Sequence, residues 1–343
     1  MKYLMAYTIP LMALIGIRLG GMFTFTALIY AFLFIPTMEI VMQKSSKNPE
    51  EDDAETGQNK FIYDLMLYLN LPLVYVILIY AINNVATNNL STLEIIGCTF
   101  SVGVMLGANG INVAHELGHR TKMFEKSIAK LLLIPSYYAH FYIEHNHGHH
   151  LNVATPDDAS TARLNQNLYG FWFQSVVGTY KKAWQIQFKI NRDAGKKFLN
   201  FQNDMLWLSL FQLMFPILIY LIFGLQGLMF SIFTGIVGFL LLETINYIEH
   251  YGLLRNKNKS GRYERVTEQH SWNSNHTLGR LILYELTRHS DHHAKSTKKY
   301  QTLENKQTSP QLAYGYPTSM VIAFFPPLWF TIMNKRVPNQ IQN

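Results

Sequence analysis

The chain is poor in cysteine, in charge and in acidic side chains, and each shortage excludes something. Its single thiol, Cys98, rules out a disulfide framework, a cysteine-ligated zinc knuckle and any in-chain iron–thiolate carrier, all of which need two or more thiolates. Electrons for a redox reaction would have to arrive from another protein. Cys98 lies in the middle of an apolar run with no motif around it and reads as a packing residue. Only 15% of the 343 residues are charged, against about 25% in soluble domains. With 49% hydrophobic residues, that deficit points to lipid.

Six apolar runs approach or reach the ~20 residues that cross a hydrocarbon core as a helix: Tyr3 to Ile17, Met22 to Met42, Phe61 to Ile82, Leu93 to Ala114, Met205 to Phe223 and Leu228 to Ile248. The expected fold class is therefore an all-α integral membrane protein with six transmembrane helices, forming a single domain over residues 1–343. The first run follows one lysine, as a signal peptide would, but Gly20 and Gly21 lead straight into the second run. A retained helical hairpin fits better. Residues 43–60 (QKSSKNPEEDDAETGQNK) form a polar loop or mobile linker. Residues 120–203 mix cations with short apolar stretches and are expected to lie as helices on the membrane face. The tail 314–333 is apolar but broken by Pro317, Pro326 and Pro327, which favours an interfacial or re-entrant segment over a seventh span.

Lysine and arginine resist translocation, so their placement orients the chain. With the N-terminus inside, the external turns are Arg18 to Gly21, Asn83 to Ser91 and Gly224 to Gly227. Arg18 is the only cation in them, and the other 28 of 29 Lys and Arg residues lie inside. The expectation is a multi-pass inner-membrane protein with both termini on the cytoplasmic side. The net charge of +7 is assigned to anionic membrane lipid and protein partners, not to nucleic acid.

Against these shortages stands an excess of histidine. All 13 fall within residues 115–150 and 250–293, at the inner ends of the fourth and sixth runs and in the segments after them. HELGH places His115 and His119 four residues apart on one helical face. EHNHGHH sets His145 and His149 four apart, with His150 about 100° further round. His250 ends the sixth run, and RHSDHH puts His289, His292 and His293 on one helical stripe. HExxH alone suggests a zinc protease, but the further imidazoles are too many for one zinc. Nine imidazoles suit two redox-active ions, and iron is the choice for oxidising an unactivated substrate, because zinc has no redox chemistry. Glu116, Glu144, Asp157, Asp158, Glu249 and Asp291 stand beside these residues and are candidates to hold the far N–H of a ligating imidazole. His140, His147, His270 and His276 complete no further pair and are assigned to hydrogen bonding or packing.

HELGHR, EHNHGHHLNVATPDDAS, NYIEHYGL, HSWNSNH and LTRHSDHHA together resemble the membrane-bound, non-haem di-iron alkane monooxygenases, relatives of xylene monooxygenase and more distantly of the acyl desaturases. The motifs run in the family's order over residues 115–294. The resemblance implies hydroxylation of the terminal methyl of a medium or long n-alkane by dioxygen, with electrons from a rubredoxin and its reductase. It implies two non-haem irons on His115, His119, His145, His149, His150, His250, His289, His292 and His293. His147 occupies a variable position, and Arg120 and Thr287 depart from the usual lysine and glutamine without touching a ligand. The basic inner face would steer a small acidic rubredoxin. A tunnel among the spans would deliver the alkane, with Phe23, Phe25, Tyr30 and Phe32 as candidate lining. The alternatives are an acyl desaturase or aromatic-methyl hydroxylase and, outside enzymes, a membrane metal-binding or transport protein.

Overall fold

A segment in lipid must satisfy every backbone polar group internally, and the long apolar runs do so as helices. The computed structural model describes residues 2–42, 44–49 and 61–338. Among them the chain is helical, with only two isolated backbone bridges, Lys257 with Tyr263 and Asn273 with Gln311. Five helices are long and apolar enough to cross a membrane: α1 (Lys2–Leu19), α2 (Gly21–Val41), α3 (Phe61–Thr87), α4 (Thr92–Gly118) and the 47-residue Asp204–His250. The last of these holds both of the last two expected runs.

That element would measure about 70 Å as a straight helix, more than twice a ~30 Å hydrocarbon core. Its backbone leaves the helical region at Gly224 (φ 67°, ψ −167°). Gly20 has nearly the same dihedrals (φ 68°, ψ −168°) where α1 turns back into α2. Only glycine takes this conformation without strain, so the expected boundary between the fifth and sixth runs survives as a break inside one element.

Between α4 and this element lie α5 (Met123–Leu133), a broken helix α6 over residues 141–152 and the amphipathic α7 (Leu168–Asp193). The buried stripe of α7 runs Leu168, Phe171, Ser175, Thr179, Ala183, Gln187 and Asn191, and four of these seven are polar. Asp204–His250 is α8. After it come α9 (Thr277–Ile282), α10 (His289–Ala294), α11 (Tyr316–Ala323) and α12 (Pro326–Met333). The prolines divide the apolar tail into α11 and α12, each eight residues long, or about 12 Å. Trp329 of α12 packs on Tyr247 and Tyr251 at the end of α8.

Small residues let the spans approach closely, as membrane packing requires. A Cβ on Gly103 of α4 would lie 2.4 Å from Val237 Cγ1 of α8, and one on Gly238 would lie 3.1 Å from Leu106 Cβ. Residues 44–49 lie against the C-terminal half: the Ser45 amide donates to the Asn275 carbonyl, and Asn48 pairs with Asn305. The rest of the expected linker, residues 43 and 50–60, lies outside the described residues.

Candidate metal centre

Four elements bring nine imidazoles together at one end of the spans. His115 and His119 sit at the last turn of α4. α6 contributes His145, His149 and His150, and α8 ends on His250. The six-residue α10 carries His289, His292 and His293. It is too short to hold itself, and tertiary contacts fix it. The Ser290 amide donates to Asn273 Oδ1 (2.9 Å), Asn273 Nδ2 donates to Ser290 Oγ (2.7 Å), and the Trp272 amide donates to the Glu249 carbonyl (2.8 Å). The turn before it passes through Tyr284 and Glu285 at positive φ. Arg280 holds that turn by gripping the Glu285 carboxylate at 2.7 and 3.1 Å, and Tyr3 donates to it at 3.0 Å.

The ring nitrogens gather in two groups, His115, His119, His145, His150 and His292 in one and His149, His250, His289 and His293 in the other, each with its ligand atoms within 4.8 Å of one another. Within the first, Nε2 of His145 lies 3.1 Å from that of His119 and 3.0 Å from that of His150. Within the second, Nε2 of His289 lies 3.3 Å from that of His250 and 2.9 Å from that of His293. Metal–nitrogen bonds of about 2.1 Å at 90–110° put neighbouring donors about 3.0–3.4 Å apart. The spacing is that of a shared ion. Nε2 of His115, His149 and His292 is buried without a hydrogen-bond partner, which an apolar packing role would not tolerate.

Burial first, and then the neighbouring imidazoles, hold His145, His150, His289, His292 and His293 well below the ordinary histidine range. These rings are neutral at physiological pH, with a lone pair free for a cation.

The helical-stripe reading needs correction in two places. His145 and His149 do not share a group, because residues 145–149 form a π turn that brings residues five apart into line. His145 therefore meets His150, and His149 turns to the other group. On α10 the stripe divides as well: His292 joins the group of five, while His289 and His293 join the group of four. Adjacent helical positions point about 100° apart, so one short helix serves both groups.

The six carboxylates separate by position. Asp158 lies behind His149, accepting from its Nδ1 at 2.9 Å and from Thr161 Oγ1 at 2.6 Å. This pairing sets the tautomer that leaves Nε2 free. Glu249 does not sit behind an imidazole: its Oε2 lies 3.2 Å from His289 Nε2, facing the point where the four nitrogens converge. Glu116 takes Arg120 (2.7 Å) and the Tyr300 amide (3.1 Å). Asp291, although between two of the histidines in sequence, points to Lys298, Lys306 and the Glu304 amide. Glu144 is buried beside Gly148, and Asp157 is exposed. The remaining histidines stand apart. His140 bonds Thr179, His270 bonds Thr267, His276 bonds Ser274, and His147 is exposed beside Lys182 and Lys189.

One constellation escaped the sequence reading. Glu243, fully buried in α8, accepts from Tyr138 Oη at 2.7 Å and from Ser175 Oγ and Asn246 Nδ2. An acid inside the run Leu228 to Ile248 was the available signal, since ionisable groups in spans are costly without a role.

An apolar cavity of about 50 Å³ lies between the spans, lined by Ile9, Phe32, Ile35, Ile282 and Met320. A smaller one of about 20 Å³ touches Phe141, His115, His145, Glu249 and His289. Both are walled by Gly107, Leu242 and Ile245, and the smaller one touches residues of both histidine groups. Of the aromatic residues named from the second run, only Phe32 lines it. Phe23 is exposed, Phe25 packs at Gly97, and Tyr30 stacks on Phe34.

Residues 91–321 match the fatty acid desaturase family. Alkane 1-monooxygenase 2 of Alcanivorax borkumensis is 39% identical over 97% of this chain and 88% of its own length. Alkane 1-monooxygenase of Pseudomonas putida is 36% identical over 96% of this chain and 83% of its own. The hydroxylase component of a xylene/toluene monooxygenase from Pseudomonas putida is more distant, 27% identical over 98% of this chain and 89% of its own.

Proposed function

Because the chain belongs to the alkane 1-monooxygenase family, within the wider group of fatty acid desaturases, we propose that its two histidine groups hold two iron ions and that it hydroxylates the terminal methyl of an n-alkane. Alkane monooxygenation is its activity, and the protein is a membrane oxidoreductase. The observation that carries the finer reading is the convergence of nine imidazoles, five and four, beside apolar cavities between the spans.

His115, His119, His145, His150 and His292 would hold one iron, and His149, His250, His289 and His293 the other, with the Glu249 carboxylate facing the second. Bound iron would supply the activation of dioxygen. The rest is the work of the chain. Leu242 and Ile245 guide an alkane end-on and keep water out, so that only a chain terminus reaches the imidazoles. Asp158 holds the proton of His149 on Nδ1 and keeps Nε2 aimed inward. The single thiol leaves the chain without an electron carrier, so the donor is a separate protein, and a rubredoxin with its reductase suits the +7 charge. The Gly224 break supports a sixth crossing. The cation distribution supports a multi-pass inner-membrane placement with the histidines at the cytoplasmic face.

Purified protein in detergent, loaded with ferrous ion and supplied with rubredoxin, reductase, NADH and a series of n-alkanes, tests this. Two irons per chain and a primary alcohol are expected. An alkene would favour an acyl desaturase, and a preference for aromatic methyl groups would favour the xylene monooxygenase branch. Bound zinc without oxygen uptake would sink the reading.

A further inference from the structure

Hydroxylation of one C–H bond consumes one O₂, two electrons and two protons, and yields one alcohol and one water. The C–H and O–O bonds break while C–O and O–H bonds form. With a single thiol the chain holds no iron–thiolate carrier of its own. A one-electron carrier must therefore dock twice per turnover, two carriers being oxidised as one dioxygen is reduced.

Electron transfer falls steeply with distance, so the carrier has to reach the edge of the metal centre that lies nearest solvent. Among the nine imidazoles only His119 and His150 are half-buried, and the others are buried. His150 is followed directly by Leu151, which is 68% exposed.

Cations flank this leucine on two sides. On one side, a groove of about 460 Å³ between α6 and α7 is lined by His147, Leu151, Asn152, Lys182, Lys189 and Asp193. Neither lysine pairs with a carboxylate among the described residues, and Asp193 lies 3.6 Å from Arg192 Nε. On the other side stands a hairpin after α8, closed by the bridge between Lys257 and Tyr263. Arg255 ties it to the site: Nη2 donates to the Leu151 carbonyl at 2.8 Å, and Nη1 donates to the Glu264 carbonyl at 3.0 Å. Lys257 Nζ stands 5.0 Å from the centre of the Tyr263 ring. The Glu264 carboxylate is already engaged, accepting from the Asn256 amide at 2.9 Å and lying 3.4 Å from His270 Nε2.

An apolar centre with a charged rim is the anatomy of a protein interface. Short-lived redox encounters need little area, less than about 1,200 Å² in all, so one leucine and its surround suffice. A cationic rim attracts an acidic partner and speeds its arrival.

We propose that the patch centred on Leu151 and rimmed by Lys182, Lys189, Arg255 and Lys257 is the docking surface for a small acidic one-electron carrier, whose electrons enter the five-imidazole group at His150. The inference rests on the monooxygenase reading above.

Rubredoxin is the probe, with the full chain held in lipid nanodiscs. Iron-free wild type should bind it, and the affinity should fall as salt screens the contact. Lys182→Glu combined with Lys189→Glu should weaken binding about 10-fold and flatten the salt dependence. In the loaded enzyme the same pair should raise KM for rubredoxin by a similar factor, while bound iron and KM for alkane hold. Leu151→Glu should act in the same direction, and Leu151→Met should keep most of the affinity. Reversing Lys196 and Lys197, exposed in the turn after α7, changes the net charge equally and should shift binding far less. Unchanged affinity and salt dependence in the Lys182, Lys189 and Leu151 variants would overturn the inference, as would no binding by wild type or an equal loss from reversing Lys196 and Lys197. An activity loss that follows the anionic lipid content of the nanodiscs, with rubredoxin binding intact, would overturn it too, since the cations would then hold lipid headgroups. A wild type that binds rubredoxin at this patch yet forms no alcohol would instead count against the monooxygenase reading, which keeps the two failures apart.

Discussion

Asp158→Asn changes one atom type behind one imidazole. In the native site the carboxylate, 3% exposed, accepts from His149 Nδ1 at 2.9 Å and Thr161 Oγ1 at 2.6 Å on the same oxygen, and from the Ser160 amide on the other. All three neighbours donate. An asparagine must turn its Nδ2 to one side: toward Ser160 it sets donor against donor, and toward His149 it drives the ring proton onto Nε2. The second outcome removes one of four nitrogens from its group, and the first leaves a buried donor unpaired. Loss of such an outer partner costs about 10- to 100-fold in metal affinity, which is about 1.4–2.7 kcal/mol. The assay is chelator competition followed by iron counting, with hydroxylation measured on the same samples. About half the iron should leave at a chelator concentration that strips none from the wild type. Equal retention at every concentration, with unchanged turnover, would show that Asp158 does not hold the site.

Three further outcomes are expected. His292→Ala should empty the five-imidazole group and abolish hydroxylation while membrane insertion stays intact, so full activity would refute the ligand assignment. Gly103→Val sets a Cβ 2.4 Å from Val237 Cγ1; overpacking of this kind costs about 1–3 kcal/mol, and an unchanged unfolding temperature in detergent would contradict the close α4–α8 contact. Burial holds His140 neutral down to about 3, below its ordinary value near 6.5. Its contribution to stability is present above 6.5 and is lost as pH falls toward 3, because the unfolded chain then binds the extra proton. Thermal unfolding should therefore drop over that window, and less steeply in His140→Gln; parallel curves would rule the residue out.

The membrane class and the imidazole set were legible from sequence because both depend on local quantities, the length of an apolar run and the spacing of one residue type. The turn expected at Gly224 to Gly227 was local too, and the backbone of Asp204–His250 breaks at Gly224. The motif HELGH read correctly as a pair because α4 is an ordinary helix at that point. EHNHGHH did not, because a π turn shifts the alignment from four residues to five.

What the sequence determined by itself was the chemistry available: nine clustered imidazoles, no thiol partner and enough apolar length to span lipid. Tertiary structure decided their allocation. It sent His149 and His150 to different groups, turned Asp291 to lysines while placing Asp158 behind an imidazole, and buried Glu243 among hydroxyls from α7 and the turn before α6. Composition and spacing say which groups lie near one another along a helix. The direction each one faces, and what meets it there, depends on how separate elements pack, as where Tyr138 meets Glu243 of α8 at a sequence separation of 105.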